Sequence, residues 1–293
     1  MRVGALAAAV SSVVAACTAM AGDVQRDVAY VENGHAEQHL DMYWPDVAPA
    51  KAVLFVHGGS LTESGERRAS PMYADICARL AASGLACATA DYRLSPSFQW
   101  PAMPEDIAAA LRTARMLLEA RGGDPQQVFL FGHSSGCHLV AILATNPAYL
   151  TTVGLAPSDL AGIICMGCTL DKSDAALRGK TADDLRPVLE KLGSSVDLYG
   201  SAENWIAANP AHHLGPHVPP TLVVVAQRER FFPSILEQGA RFVRLLLEAD
   251  VPANLVIVPG SHKSSIADFG KPGDVTFDAV LSFIADPASV ARE

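Results

Sequence analysis

The chain has 293 residues, half of them hydrophobic, and sets 22 Lys and Arg against 31 Asp and Glu for a formal charge of −9. That length suits one large domain, which buries about 75% of the surface its unfolded chain exposes and needs no disulfide staples. An acidic balance with no basic run excludes nucleic acid as an expected partner and speaks against anionic lipid headgroups.

Residues 1–21 read as a targeting segment: Arg2 follows the terminal amine, and residues 3–16 are apolar and uncharged. Two processing routes fit. Ala19-Met20-Ala21 before Gly22 suits a secretory signal peptide. Val14-Ala15-Ala16-Cys17 resembles a bacterial lipobox, in which Cys17 would carry a lipid anchor. A cytoplasmic leader behind a misassigned start codon is the third reading. A spanning helix needs ~20 apolar residues, so this stretch is too short for one. The expected location is export, periplasmic or secreted, with 22–293 as the mature domain.

Beyond the leader, short apolar runs alternate with longer helical periods, the pattern of a mostly parallel sheet of about eight strands with helices on both faces. Strands are expected at 24–30, 39–43, 52–56, 85–89, 128–131, 162–166, 221–226 and 255–258, the first two as an antiparallel pair. Helices are expected at 71–82, 104–120, 135–145, 235–248 and 275–284. The second carries Ile107, Leu111, Ala114, Leu117 and Leu118 at helical spacing. Residues 170–208 are polar and broken, do not fit the alternation, and read as a small lid insertion at the sheet's carboxyl end.

Gly132-His133-Ser134-Ser135-Gly136 follows an apolar strand and opens a helix, the context that a G-x-S-x-G nucleophile turn requires. A serine at such a turn has a strained backbone, and glycines on either side relieve collisions that bulkier residues would cause. The helix behind it points free N–H groups and its positive dipole end at the site. Ser134 is thus the candidate nucleophile. Upstream, His57-Gly58-Gly59 ends a strand and matches a glycine-rich oxyanion loop. Donors are assigned to Gly58 or Gly59 and to the N–H of Ser135; loss of one such donor typically costs ~100–1000-fold in turnover.

The acid and base of such a turn follow in the order serine, acid, histidine. Only His262, in Pro259-Gly260-Ser261-His262, comes after the last strand. Gln227-Arg228-Glu229-Arg230 supplies one carboxylate just past the preceding strand, Glu229, whose task is to hold the imidazole tautomer. Asp171, and a surface Glu229 paired with Arg228 or Arg230, are the competing readings. His57, His133, His138, His212, His213 and His217 are assigned packing, loop or lid roles. Trp100, Trp205 and Phe231 lie on loops near the carboxyl face and are candidates for a substrate pocket, with core packing as the equal alternative.

Outside Cys17, five cysteines remain: Cys77, Cys87, Cys137, Cys165 and Cys168. Cys165-Met166-Gly167-Cys168 has redox spacing but ends a strand, so the thiols read mainly as buried small hydrophobes. One disulfide is allowed in an oxidising compartment, with partners the sequence does not choose.

Together these motifs resemble the esterase/lipase branch of the α/β-hydrolases, which includes hormone-sensitive-lipase-like and kynurenine-formamidase-like carboxylesterases. The resemblance runs from about Leu40 to Ile284. Besides the two glycine motifs and the histidine loop, it rests on Asp91-Tyr92-Arg93-Leu94-Ser95-Pro96, on Trp100-Pro101 with Glu105-Asp106, on Gly123-Asp124-Pro125 and on Asn209-Pro210. It implies an α/β-hydrolase fold and a serine carboxylesterase acting on small to medium acyl esters, with neither cofactor nor metal. Three positions depart from the family pattern: Ser60 replaces the third oxyanion-loop glycine, Glu229 stands where aspartate is commoner, and Ser261 precedes the histidine. An arylformamidase or amide hydrolase would use the same triad. A non-catalytic hydrolase-fold binding protein would normally lack the serine or the histidine.

Overall fold

The structure, a computed structural model, describes residues 22–171, 198–229 and 234–288. The expected leader at 1–21, Phe231 and most of the expected insertion at 170–208 lie outside the described residues.

The described chain opens with strands β1 (Val24–Ala29) and β2 (His39–Tyr43), paired antiparallel. It continues through β3 (Ala52–Val56), β4 (Ala86–Ala90), β5 (Val128–His133), β6 (Gly162–Met166), β7 (Thr221–Arg228) and β8 (Ala253–Ser261). These build one sheet in the order β1-β2-β4-β3-β5-β6-β7-β8. β2 is antiparallel to β4, and every later pairing is parallel.

Helices α1 (Ile76–Ala82), α2 (Ala102–Ala120), α3 (Ser135–Thr145), α4 (Pro147–Thr151), α5 (Ala202–Ala207), α6 (Ser234–Glu248), α7 (Ser264–Ala267) and α8 (Val275–Ala285) cover both faces. Strands covered on both sides must be apolar throughout, and β3 to β6 are buried along their whole length. The two-residue side-chain period then sorts each strand between two cores. Leu54, Val56 and Leu130 join Ile107 and Leu111 of α2 and Leu139 and Ile142 of α3. Val53, Phe55, Phe129 and Phe131 join Ile76 and Leu80 of α1 and Val280 and Phe283 of α8.

Asp106, buried on α2, anchors the loop that leaves β4. It accepts hydrogen bonds from Arg93 N at 2.9 Å, from Arg93 Nη2 at 2.7 Å and from Gln38 Nε2 at 2.6 Å. The Tyr92-Arg93 segment and Glu105-Asp106 are therefore halves of one structural clamp.

Two expectations are corrected. The helix expected at 71–82 starts only at Ile76; residues 70–76 make turn bonds such as Tyr73 N to Ser70 O, which lets Tyr73 point toward the sheet's carboxyl edge. The thiols are not mainly small hydrophobes: Cys77 is bonded to Cys87 and Cys137 to Cys168, leaving Cys165 as the free, buried cysteine among the described residues. The second link spans 31 residues, from α3 to the loop after β6. Burial pushes the Cys165 thiol pKa well up, so that thiol stays protonated.

Candidate active site

β5, β7 and β8 run farther than their apolar cores require, and these extensions carry the site residues to the sheet's carboxyl edge. β5 ends at His133 and α3 begins at Ser135, with Ser134 between them at φ 54° and ψ −127°. This left-handed backbone costs a non-glycine residue on the order of 1–3 kcal/mol and persists only where its surroundings over-determine it. A Cβ at position 132 would stand 2.4 Å from the Gly136 carbonyl oxygen, and one at 136 would stand 2.2 Å from the Val56 carbonyl oxygen. Ser134 N–H also donates to the Met166 carbonyl at 2.9 Å. The backbone thus closes on the serine from three strands.

His262 follows β8, and its Nε2 lies 3.0 Å from Ser134 Oγ. Its Nδ1 meets Oε1 of Glu229, the residue immediately after β7, whose side chain is 2% exposed. A carboxylate at Nδ1 favours the tautomer protonated there, which turns the Nε2 lone pair toward the hydroxyl. The structure therefore brings Ser134, His262 and Glu229 together. Asp171 is committed elsewhere: its carboxylate pairs with Arg241 at 2.8 Å and accepts from Asn209 Nδ2 at 3.4 Å.

Three further residues shape this centre. Gly167, at φ +63°, lies so near the acid–base pair that a Cβ would stand 3.1 Å from His262 Nδ1 and 3.2 Å from Glu229 Oε2. Its thiol neighbours drew the reading of that segment in the sequence, yet the glycine is what the pair requires. His133 and Tyr73 hydrogen-bond at 2.8 Å, from Tyr73 Oη to His133 Nδ1. His133 Nε2 lies 2.9 Å from the His262 carbonyl, and the two imidazole rings are 4.7 Å apart. Burial above all, then the neighbouring His262, depresses the His133 pKa to about 3, so that ring is neutral. Nothing in the local sequence marks Tyr73, 60 residues upstream of His133.

His57 is fully buried and belongs to the loop rather than to the acid–base pair. Its Nδ1 sits 2.7 Å from the Gly58 carbonyl, its Nε2 3.3 Å from Asp91, and its ring stacks on Tyr92 at 4.5 Å. Tyr92 Oη donates to the His57 carbonyl at 2.8 Å, which completes a rigid base for Gly58 and Gly59. Gly59 adopts φ +119°, and a Cβ there would reach 2.4 Å from Glu66 N. A Cβ at Gly58 would stand 2.7 Å from Tyr73 Oη and 2.9 Å from Ser134 Cβ. The Ser135 N–H opens α3, where a first-turn N–H has no acceptor within its own helix.

A cavity of about 370 Å³ opens over Ser134, lined on its apolar side by Leu61, Met72, Leu198, Tyr199 and Ile235. Leu198 and Tyr199 belong to the described end of the expected insertion. Trp100 is not in the wall: it packs one layer behind, donating from Nε1 to Tyr149 Oη at 3.0 Å and contacting the Tyr199 ring at 5.4 Å. Trp205 packs against the core without lining the cavity. Burial of a large indole outweighed the loop position of Trp100, whereas Trp205 lies on α5 and is half-buried. His213 and His217 bond main-chain carbonyls of Ala207 and Thr145 at 2.8 Å each, as loop residues do. Among the described residues no group of three or more His, Cys, Asp or Glu is placed to hold a metal ion.

A strained serine between a parallel strand and a helix, with a carboxylate and an imidazole on the loops after the last two strands, is the arrangement of an α/β-hydrolase. A family model described as alpha/beta hydrolase fold matches residues 53–264, and the chain belongs to that family. Among curated relatives, Esterase LipC of Mycobacterium tuberculosis is 28% identical over 244 residues, covering 80% of this chain and 58% of its own length. Ethyl acetate hydrolase of Pseudomonas putida is 27% identical over 243 residues, covering 78% of this chain and 69% of the relative. The chain thus spans little more than half the length of several curated relatives it matches. Among solved structures, a truncated carbohydrate esterase from gut microbiota superposes with TM-score 0.72 at 19% identity, covering 93% of this chain and 98% of the other. Esterase Est2 of Thermogutta terrifontis with propionate bound gives TM-score 0.65 at 24% identity, with 92% and 94% covered.

Proposed function

We propose that the chain is a serine carboxylesterase that hydrolyses small to medium acyl esters through an acyl-enzyme on Ser134. The observation that carries this reading is the continuous contact from Glu229 through both nitrogens of His262 to Ser134 Oγ, with 3.0 Å across the last step. As Oγ attacks the ester carbonyl, His262 Nε2 takes its proton, and the carbonyl π pair moves onto oxygen. Glu229 stabilises the imidazolium that forms. The oxyanion is received by the N–H group of Gly58 or Gly59 together with that of Ser135. Collapse of the tetrahedral species expels the alcohol, protonated by His262. Water then repeats the sequence on the acyl-enzyme and frees the acid. The relatives named as esterases support this reading, and a cavity of about 370 Å³ suits a small acyl group.

Ser134→Ala is expected to lower turnover of a chromogenic acetate or butyrate ester by at least about 10,000-fold while the protein stays folded. Retention of wild-type activity by that variant would exclude the assignment. Export of the chain, through a signal peptide at 1–21 or a lipid at Cys17, is part of the same proposal, and the two disulfides support it because such bonds persist in oxidising compartments. Fractionation of cells expressing the full chain tests it; finding the protein wholly in the cytosol would rule export out.

A further inference from the structure

We propose that His133 and Tyr73 are positioning residues for the base, because a buried hydrogen-bond chain from the Tyr73 hydroxyl through the His133 ring to the His262 main-chain carbonyl fixes where the His262 imidazole stands relative to Ser134 Oγ. The proposal rests on the ester-hydrolase reading of Ser134 and His262 given above.

The direction of each bond follows from chemistry. A carbonyl only accepts, so the proton between His133 and His262 belongs to His133 Nε2, over 2.9 Å. The His133 ring is neutral, so its Nδ1 carries a lone pair and takes the proton of Tyr73 Oη over 2.8 Å. One tautomer of His133 satisfies both ends. Ser265 Oγ makes a second, longer bond of 3.3 Å to the same His262 carbonyl, so His133 supplies the nearer of the two donors.

Filling space does not explain this chain. His133 and Tyr73 are 1% and 2% exposed, and polar atoms that deep are costly unless every partner is present. An apolar side chain would pack without that cost. What the polar chain adds is a short mechanical path. His133 is the covalent neighbour of Ser134, so one hydrogen bond ties the base loop to the turn that carries the nucleophile. Apart from the Ser134–His262 contact itself, it links two loops that otherwise arise from separate strands, β5 and β8. A misplacement of about 1 Å at such a centre costs roughly 100-fold in rate. Ring contact at 4.7 Å holds the His262 imidazole from the side as well, and a neutral His133 does so without repelling the imidazolium formed during reaction.

Two substitutions separate bonding from packing. In His133→Gln the side-chain nitrogen reaches about as far as imidazole Nε2, whereas in His133→Asn it ends near the place of Nδ1 and falls short of the His262 carbonyl. Steady-state kinetics on a chromogenic acetate ester should show kcat about 10-fold to 100-fold lower for His133→Asn, with KM within about twofold of wild type. His133→Gln should recover kcat to within about threefold. Tyr73→Phe, which frees the ring to change tautomer, should lie between them. Equal losses in the Gln and Asn variants, or losses confined to KM, would overturn the positioning role. Fluorophosphonate labelling of wild-type protein distinguishes the two levels of the argument. If wild type is labelled at Ser134 and turns over ester while all three variants match its kcat, positioning alone fails. If wild type is neither labelled nor active, the ester-hydrolase reading fails and takes this proposal with it.

Discussion

The nucleophile turn and the loop after β6 face each other across the site and are held by opposite means. Around Ser134 the tightest constraints are main-chain ones: a glycine at 132, a glycine at 136, and the Met166 carbonyl taking the serine N–H. Around Gly167 the backbone is also left-handed, at φ +63°, but the next residue is tied covalently to Cys137 on α3. One segment is fixed by steric exclusion, the other by a cross-link to the helix that starts at the first. The turn therefore tolerates almost no added volume, whereas the loop should lose rigidity gradually when its tie is cut.

Substitutions that add single atoms test this contrast most severely at the turn. Gly136→Ala would place a Cβ 2.2 Å from the Val56 oxygen, so loss of soluble protein or at least about 1000-fold lower esterase activity is expected. Gly167→Ala meets softer neighbours, 3.1 Å from His262 Nδ1, and should fold while activity drops about 10-fold to 100-fold. If the two variants behaved alike, the contrast between exclusion and tethering would be wrong. Cys137→Ser with Cys168→Ser should cost roughly 2–4 kcal/mol in urea unfolding but leave most of the activity at 25 °C. Complete inactivation by that pair would mean that the tether, not the packing, sets the reactive geometry.

A further expected effect concerns acid. His133 binds fewer protons folded than unfolded, since its pKa drops from 6.5 to about 3. The stability associated with its neutral, buried form is therefore fully present above about pH 6.5 and is lost progressively as pH falls toward 3. Wild type should show a steeper decline in unfolding free energy between pH 6 and 4 than His133→Gln, which has nothing to titrate there. Identical slopes would place His133 outside that acid response.

The same division explains what the sequence made legible. The turn at 132–136 could be read because its rule is local: strand, small residue, serine, small residue, helix. The mostly parallel sheet followed from alternation of apolar runs, and His262 and Glu229 followed from their places after the last two strands. What escaped was long-range. Tyr73 meets His133 only because 70–76 is a series of turns rather than the expected helix, and Cys137 meets Cys168 across 31 residues of chain. Trp100 and Trp205 were read as pocket or core residues with equal weight; Trp100 packs behind the cavity, and Trp205, on α5, packs half-buried against the core. Gly167 left a sign in the sequence, a lone glycine at a strand's end, that the flanking thiols obscured.

The most direct test of the central claim is mass spectrometry of the folded chain after treatment with a fluorophosphonate. One covalent adduct is expected, on the peptide that contains Ser134, absent in Ser134→Ala and slowed by at least about 1000-fold in His262→Ala. A folded wild-type protein that carries no adduct, or carries it on another residue, would contradict the assignment of Ser134 and His262 as nucleophile and base.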